Sequence, residues 1–150
     1  MNLIRKATIQ DACRISEIEI FNYRLNFYPI FRSDVFYFDE LRVDAFLKKY
    51  QEQPQLLENT YVFDDGVIKG FLRMNGTCIE KLFVEPVLQG LGIGEKLLQY
   101  AIHHLSACSL WALEKNTRAI AFYQRYGFRL TDKRKPEEDT DEYLVLLERA

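Results

Sequence analysis

The sequence predicts a mixed α/β fold: a central, twisted, mostly antiparallel sheet of about six to seven strands with helices on both faces. Three observations carry this. Residues Asn59 to Val84 form short strand-like runs separated by Asp64-Asp65-Gly66 and Asn75-Gly76, the pattern of consecutive hairpins. From Gly92 the spacing turns helical, and a short apolar run, a second helix and two strand-like runs follow. The chain has 150 residues, 48% of them hydrophobic, which suits one core and one domain spanning residues 1–150.

Taken in order, Leu3 to Ala7 reads as a first strand. Thr8-Ile9-Gln10-Asp11 resembles a capping box, and Ala12, Ile15, Ile18 and Phe21 follow at helical spacing, so a helix is expected from about Ile9 to Tyr23. Pro29 interrupts any continuation. Asp39 is expected to open a second helix with Leu41, Ala45, Phe46 and Tyr50 on one side, ended by Pro54. Tyr61-Val62-Phe63, Val67 to Met74 and Cys78 to Val84 are strands, the last stopped by Pro86. Gly92 to Leu105 is an amphipathic helix, with Ile93, Leu97, Leu98, Ala101, Ile102 and Leu105 on one face. Leu110 to Leu113 is a short strand, Thr117 to Tyr126 a helix capped by Gly127, and Phe128 to Thr131 and Tyr143 to Leu147 the last strands.

Composition narrows the function classes. A net charge of −2 argues against a dedicated nucleic-acid binder. No apolar run approaches a membrane span, and Met1 to Lys6 carries two positive charges with no apolar stretch behind them, so neither membrane association nor a leader is expected. Cys13, Cys78 and Cys108 are few and far apart, which reads as reduced, mostly buried thiols in a cytoplasmic protein. His104 and Cys108 alone do not make a metal site, and no metal is expected.

The informative stretch runs from Leu82 to Leu98. An apolar strand ends, Pro86 breaks it, Gly90, Gly92 and Gly94 alternate, and a helix begins. Free N–H groups at a helix start, reached over glycines, form a phosphate cradle. A P-loop fits poorly because Gly94 is followed by Glu95-Lys96-Leu97, and a dinucleotide fingerprint fits poorly because its third glycine is missing. Gln89-Gly90-Leu91-Gly92-Ile93-Gly94 resembles the pyrophosphate motif of the GNAT N-acetyltransferases. Asn116-Thr117-Arg118-Ala119-Ile120-Ala121-Phe122-Tyr123, followed by Gly127-Phe128, resembles that family's closing signature. Residues 82–128 carry nearly all of the likeness.

The resemblance implies a GNAT-like fold and acetyl-CoA as co-substrate. It implies that Gln89, Gly90, Leu91, Gly92, Ile93, Gly94 and Glu95 hold the pyrophosphate and that the backbone of Leu82, Phe83 and Val84 pairs with the pantetheine arm. Asn116 and the α-helical Ala119, Phe122 and Tyr123 complete the cofactor side. Tyr123 is expected to protonate the departing thiolate. The base is open among Glu80, Glu114 and a water chain; Glu80 is preferred because strand alternation puts it with Cys78, Leu82 and Val84, where apolar neighbours would raise its pKa.

Phe21, Tyr23, Phe27, Tyr28, Phe31, Phe36, Tyr37 and Phe38 cluster around Pro29, and the family's acceptor pocket borders this segment. The rings fit an acceptor pocket, the cover of a core, or a subunit interface. The acceptor is read as a small-molecule primary amine, with a protein amine as alternative and a non-catalytic acyl-CoA-binding module as a reading of another class. Homodimerisation through the last strands or the aromatic loop is compatible with each. Lys133 to Glu142 reads as a solvated hairpin loop.

Overall fold

The computed structural model describes residues 3–150; Met1 and Asn2, where the segment read above for a leader begins, lie outside the described residues. Seven strands, β1 (Ile4–Lys6), β2 (Thr60–Asp64), β3 (Ile68–Asn75), β4 (Cys78–Val84), β5 (Ser109–Leu113), β6 (Arg129–Pro136) and β7 (Tyr143–Glu148), are hydrogen-bonded in the order β1-β2-β3-β4-β5-β7-β6. The β4–β5 register is parallel, whereas β1–β2, β2–β3, β5–β7 and β6–β7 are antiparallel. The expected mixed, mostly antiparallel sheet is therefore present. The chain divides into two compact units: the chain through Arg73 with Lys81–Tyr100, and Met74–Glu80 with Ala101–Ala150.

In the first unit the capping box forms as its sequence predicts: the Thr8 N–H donates to Asp11 Oδ2 at 2.8 Å. Arg5 donates to both carboxylate oxygens of Asp11 and holds its carboxyl below the usual range. A single 3₁₀ turn leads into α1 (Ala12–Asn26). Ala12, Ile15 and Ile18 of α1 meet Tyr50 of α3 (Val43–Glu52), Leu57 of α4 (Gln55–Glu58), and Val62 and Phe71 of the sheet. Gly70, next to Phe71, faces the other way: a Cβ there would stand 2.9 Å from the Phe83 carbonyl oxygen and 3.1 Å from Leu97 Cδ1. This close approach seats α5 (Ile93–Leu105) on the face opposite α1 and α3, so helices cover both faces.

Two local expectations are corrected. First, α1 runs past Tyr23 to Asn26, and Pro29, instead of ending helical structure, sits in the first turn of α2 (Tyr28–Phe31), where its missing N–H costs nothing. Second, Asp39 does not open the next helix. It lies in one π-helical turn, Phe36–Glu40, and α3 starts at Val43 after an extended Leu41. Burying Tyr37 and Leu41 against Ile20 overrides the local helix signal.

In the second unit, β5 leads into α6 (Thr117–Arg125), and β6 and β7 complete the sheet. The expected loop at Lys133 to Glu142 is shorter than predicted, because Lys133 to Pro136 continue β6 and only 137–142 turn back. These cations stay in an edge strand because rings receive them: the Arg134 guanidinium lies 3.6 Å from the Tyr143 ring centroid and Lys135 Nζ 4.2 Å from that of Trp111. The thiols are free, but Cys13 and Cys108 are exposed and Cys78 is partly so, contrary to the expected burial. Among the described residues no helix is long and apolar enough to cross a membrane.

Candidate functional site

The end of β4 is fixed from below by α1. Asn22, 1% exposed, donates Nδ2 to the Val84 carbonyl at 2.8 Å and to the Ile18 carbonyl at 2.9 Å. Gln89 Nε2 donates to the same Val84 oxygen at 3.2 Å and to Asn22 Oδ1 at 3.1 Å. The first side chain of the glycine motif is thus turned inward, where it ties both ends of the turn together. Between them, Pro86–Leu88 form a 3₁₀ turn, with the Leu88 N–H donating to Glu85 O at 2.9 Å.

Gly90 and Gly92 have φ of +84° and +85°, a conformation other residues adopt only with strain. A Cβ at Gly92 would meet nothing within 4 Å, so its glycine answers to backbone conformation and not to crowding. Gly94 lies instead inside the first turn of α5. The first helical hydrogen bond runs from Lys96 N–H to Gly92 O at 3.1 Å, which leaves the N–H groups of Gly92, Ile93, Gly94 and Glu95 ahead of the ladder. Leu91 is 68% exposed and the glycines beside it are also exposed, so the turn offers its amides to solvent. Gly70, which lets Phe83 O and α5 approach, belongs to the same construction and gave no motif signal in the sequence.

The second unit carries the other candidate residues. Asn116 caps α6, its Oδ1 accepting from Ala119 N–H at 3.3 Å. Its backbone N–H donates to Leu113 O at 2.9 Å, so the residue joins strand to helix. Tyr123, 8% exposed, is held by Phe122 and Phe128, with ring centroids 5.2 and 5.8 Å away. Its hydroxyl has no hydrogen-bond partner among the described residues, and burial alone pushes the phenol well above its ordinary pKa. Ala119 and Phe122 are partly exposed on the same helix. Glu80 is exposed and not enclosed by apolar neighbours, so the enclosure on which its assignment as base rested is missing. Glu114 is engaged by Arg134 through two bonds of 3.0 Å.

A turn whose amides precede the hydrogen-bond ladder of a helix, at the end of a strand, can receive an anion. The acetyltransferase (GNAT) domain pattern matches residues 57–130, the stretch that contains the turn. That stretch, just under half of the chain, is similar to a GNAT acetyltransferase domain. The chain is 30% identical over 85 residues to the peptidyl-lysine N-acetyltransferase YjaB of Salmonella typhimurium, covering 57% of this chain and 59% of that protein. It is 37% identical over 57 residues to the spermine/spermidine N(1)-acetyltransferase of Bacillus subtilis, covering 34% of this chain and 38% of that protein. The chain thus matches between about a third and three fifths of those relatives' own length. In fold it resembles the PaiA N-acetyltransferase of Thermoplasma acidophilum, solved with coenzyme A, at a TM-score of 0.67 and 19% identity over 97% of each chain.

Proposed function

We propose that this chain is an N-acetyltransferase that binds acetyl-CoA on the glycine turn and acetylates a primary amine by direct attack in a ternary complex. The observation that carries this is the turn itself: amides from Leu91 to Glu95 ahead of the first helical hydrogen bond, on a turn exposed at Gly90, Leu91 and Gly92 and built on two left-handed glycines. They suit a pyrophosphate. Leu82, Phe83 and Val84 supply strand backbone for the amide-bearing arm of CoA, and the family motif adds Asn116, Ala119 and Phe122 to the cofactor-binding residues.

The amine nitrogen attacks the thioester carbonyl carbon, the C–S bond breaks, and the thiolate takes a proton from the Tyr123 phenol. That phenol is neutral throughout the working pH range and its hydroxyl is uncommitted, which supports the role. The proton lost by the amine passes to water, because Glu80 is exposed and Glu114 is paired. A backbone N–H near Phe83 or Val84 serves the developing oxyanion. The acceptor is a small-molecule amine, in keeping with the aromatic segment after α1. A peptidyl lysine is the second reading, favoured by the name of the Salmonella relative. Calorimetric titration with acetyl-CoA, followed by CoA release across amines and lysine peptides, tests this. Saturable binding with turnover on some amine is expected; no binding of acetyl-CoA sinks the proposal.

A further inference from the structure

The apolar stripe of α1 is broken by a buried carboxylate. Glu19 is 4% exposed, and its two oxygens are approached by two tyrosines that each carry a cation behind them. On one side Lys81 Nζ donates to the Tyr23 hydroxyl, which donates to Glu19 Oε2 at 2.6 Å. On the other Arg73 Nη2 donates to the Tyr50 hydroxyl, which donates to Glu19 Oε1 at 3.3 Å. Lys81 also lies 3.3 Å from Glu19 Oε2, and Arg73 Nε donates to Thr60 Oγ1 at 2.9 Å. Two cations therefore share one carboxylate. Arg73, 3% exposed, has no carboxylate within ion-pair distance among the described residues. An unbalanced positive charge in such a place is costly unless something else neutralises it.

The members differ in how they meet solvent. Glu19's side chain is 6% exposed and both its oxygens are engaged, so it has nothing to offer an incoming cation. Lys81's side chain is 24% exposed. Its ammonium has three N–H groups, of which one donates to Tyr23; Glu19 is its ion-pair partner, and no other acceptor is recorded for it among the described residues. It lies 5.0 Å from the centroid of the Tyr23 ring, which packs on Phe27 and Phe83 at 5.3 and 5.7 Å. Lys81 is also the residue before Leu82–Val84, the backbone assigned above to the CoA arm.

We propose, on the acetyltransferase reading, that Lys81 is the acceptor's anion-recognising residue: the amine that is acetylated carries a carboxylate, which the Lys81 ammonium binds beside the Tyr23, Phe27 and Phe83 rings. Glu19 and Tyr23 are positioning residues that hold the ammonium in place. A polyamine would bring more positive charge to a cluster whose one carboxylate is already saturated.

The test needs no turnover. CoA-loaded protein is titrated calorimetrically with matched products that differ by one carboxylate, such as N-acetylphenylalanine against N-acetylphenethylamine, with aliphatic and acidic pairs alongside. The expected result is tighter binding of the carboxylate member by about ten-fold or more, the size of one charge-assisted hydrogen bond. Lys81→Met erases the difference and Lys81→Arg retains it, while the acetyl-CoA affinity of each variant reports that it is folded. Equal or weaker binding of every carboxylate member, or a preference that survives in Lys81→Met, overturns the inference alone. Failure of the wild type to bind acetyl-CoA removes the acetyltransferase reading and the inference with it.

Discussion

Tyr123, proposed above as the acid, owes its suitability for that role to its surroundings. Packing against Phe122 and Phe128 removes water from the ring, and the hydroxyl is left with a proton and no partner. If it protonates the thiolate, Tyr123→Phe lowers kcat by about 100-fold, within the usual span for a lost general acid, while acetyl-CoA affinity changes little. Full kcat in the variant, with CoA release shown not to limit, removes the role. Tyr123 and Asn116 were singled out in the sequence because each sits in a dense local motif. Glu19 and Asn22 were not. A polar residue in a helix reads as solvent-facing, and only the strands that arrive some 60 residues later in the chain bury these two. The one available hint was position, since Ile15, Ile18 and Asn22 follow each other at the spacing of a single helix face. Glu80 failed the other way: alternation gave it apolar neighbours on paper, yet the side chain reaches water.

At the scale of elements, the glycine turn is a segment that glycine adopts without strain, pinned at both ends. Gly92→Ala places a Cβ in open space but at φ +85°, so its cost is backbone strain of about 1–2 kcal/mol. The turn relieves that strain by moving its amides. The expected outcome, read by calorimetry and by kinetics at saturating amine, is a rise in acetyl-CoA Kd of about ten-fold (about 1.4 kcal/mol) with kcat retained. An unchanged Kd means that these amides do not hold the pyrophosphate. The other end depends on Asn22, whose Nδ2 supports the Val84 carbonyl. Asn22→Ala removes buried hydrogen bonds and lowers stability by about 1–3 kcal/mol, seen as a lower urea midpoint at unchanged m. Asn22→Asp keeps the shape but not the donors, and fails likewise. A wild-type midpoint in both variants means that the anchor carries no weight. Most elements were legible from periodicity and turn chemistry, from the capping box at Thr8 to the hairpin at Asn75-Gly76. Those misread, the start of α3 and the length of β6, were settled by distant partners: Ile20 for the segment before α3, and Tyr143 and Trp111 for the cations of β6.

For the molecule as a whole, the sequence carried the class of sheet but not its order. Placing β7 between β5 and β6 depends on pairings such as Trp111 with Leu146 and Leu130 with Leu147, which no local pattern specifies. The same long-range burial has a thermodynamic consequence in alkali. Burial and the neighbouring Glu19 push the Tyr50 phenol up to about 12 and raise Tyr23 well above its ordinary value, against the opposing pull of Arg73; burial alone raises Tyr123. In the unfolded chain each titrates near 10. A group whose pKa is higher when folded stabilises the fold fully below the unfolded value and loses that contribution as pH rises toward the folded one. Above pH 10 each such phenol therefore withdraws stability as pH rises, for Tyr50 up to about 12. Urea midpoints should therefore hold level up to about pH 9 and fall above pH 10, with the ionisation of three of the nine tyrosines appearing only together with unfolding. Tyr50→Phe should flatten that fall by about a third. Ionisation of all nine tyrosines near pH 10 in protein that remains folded would mean that these three phenols are not sealed from water as described.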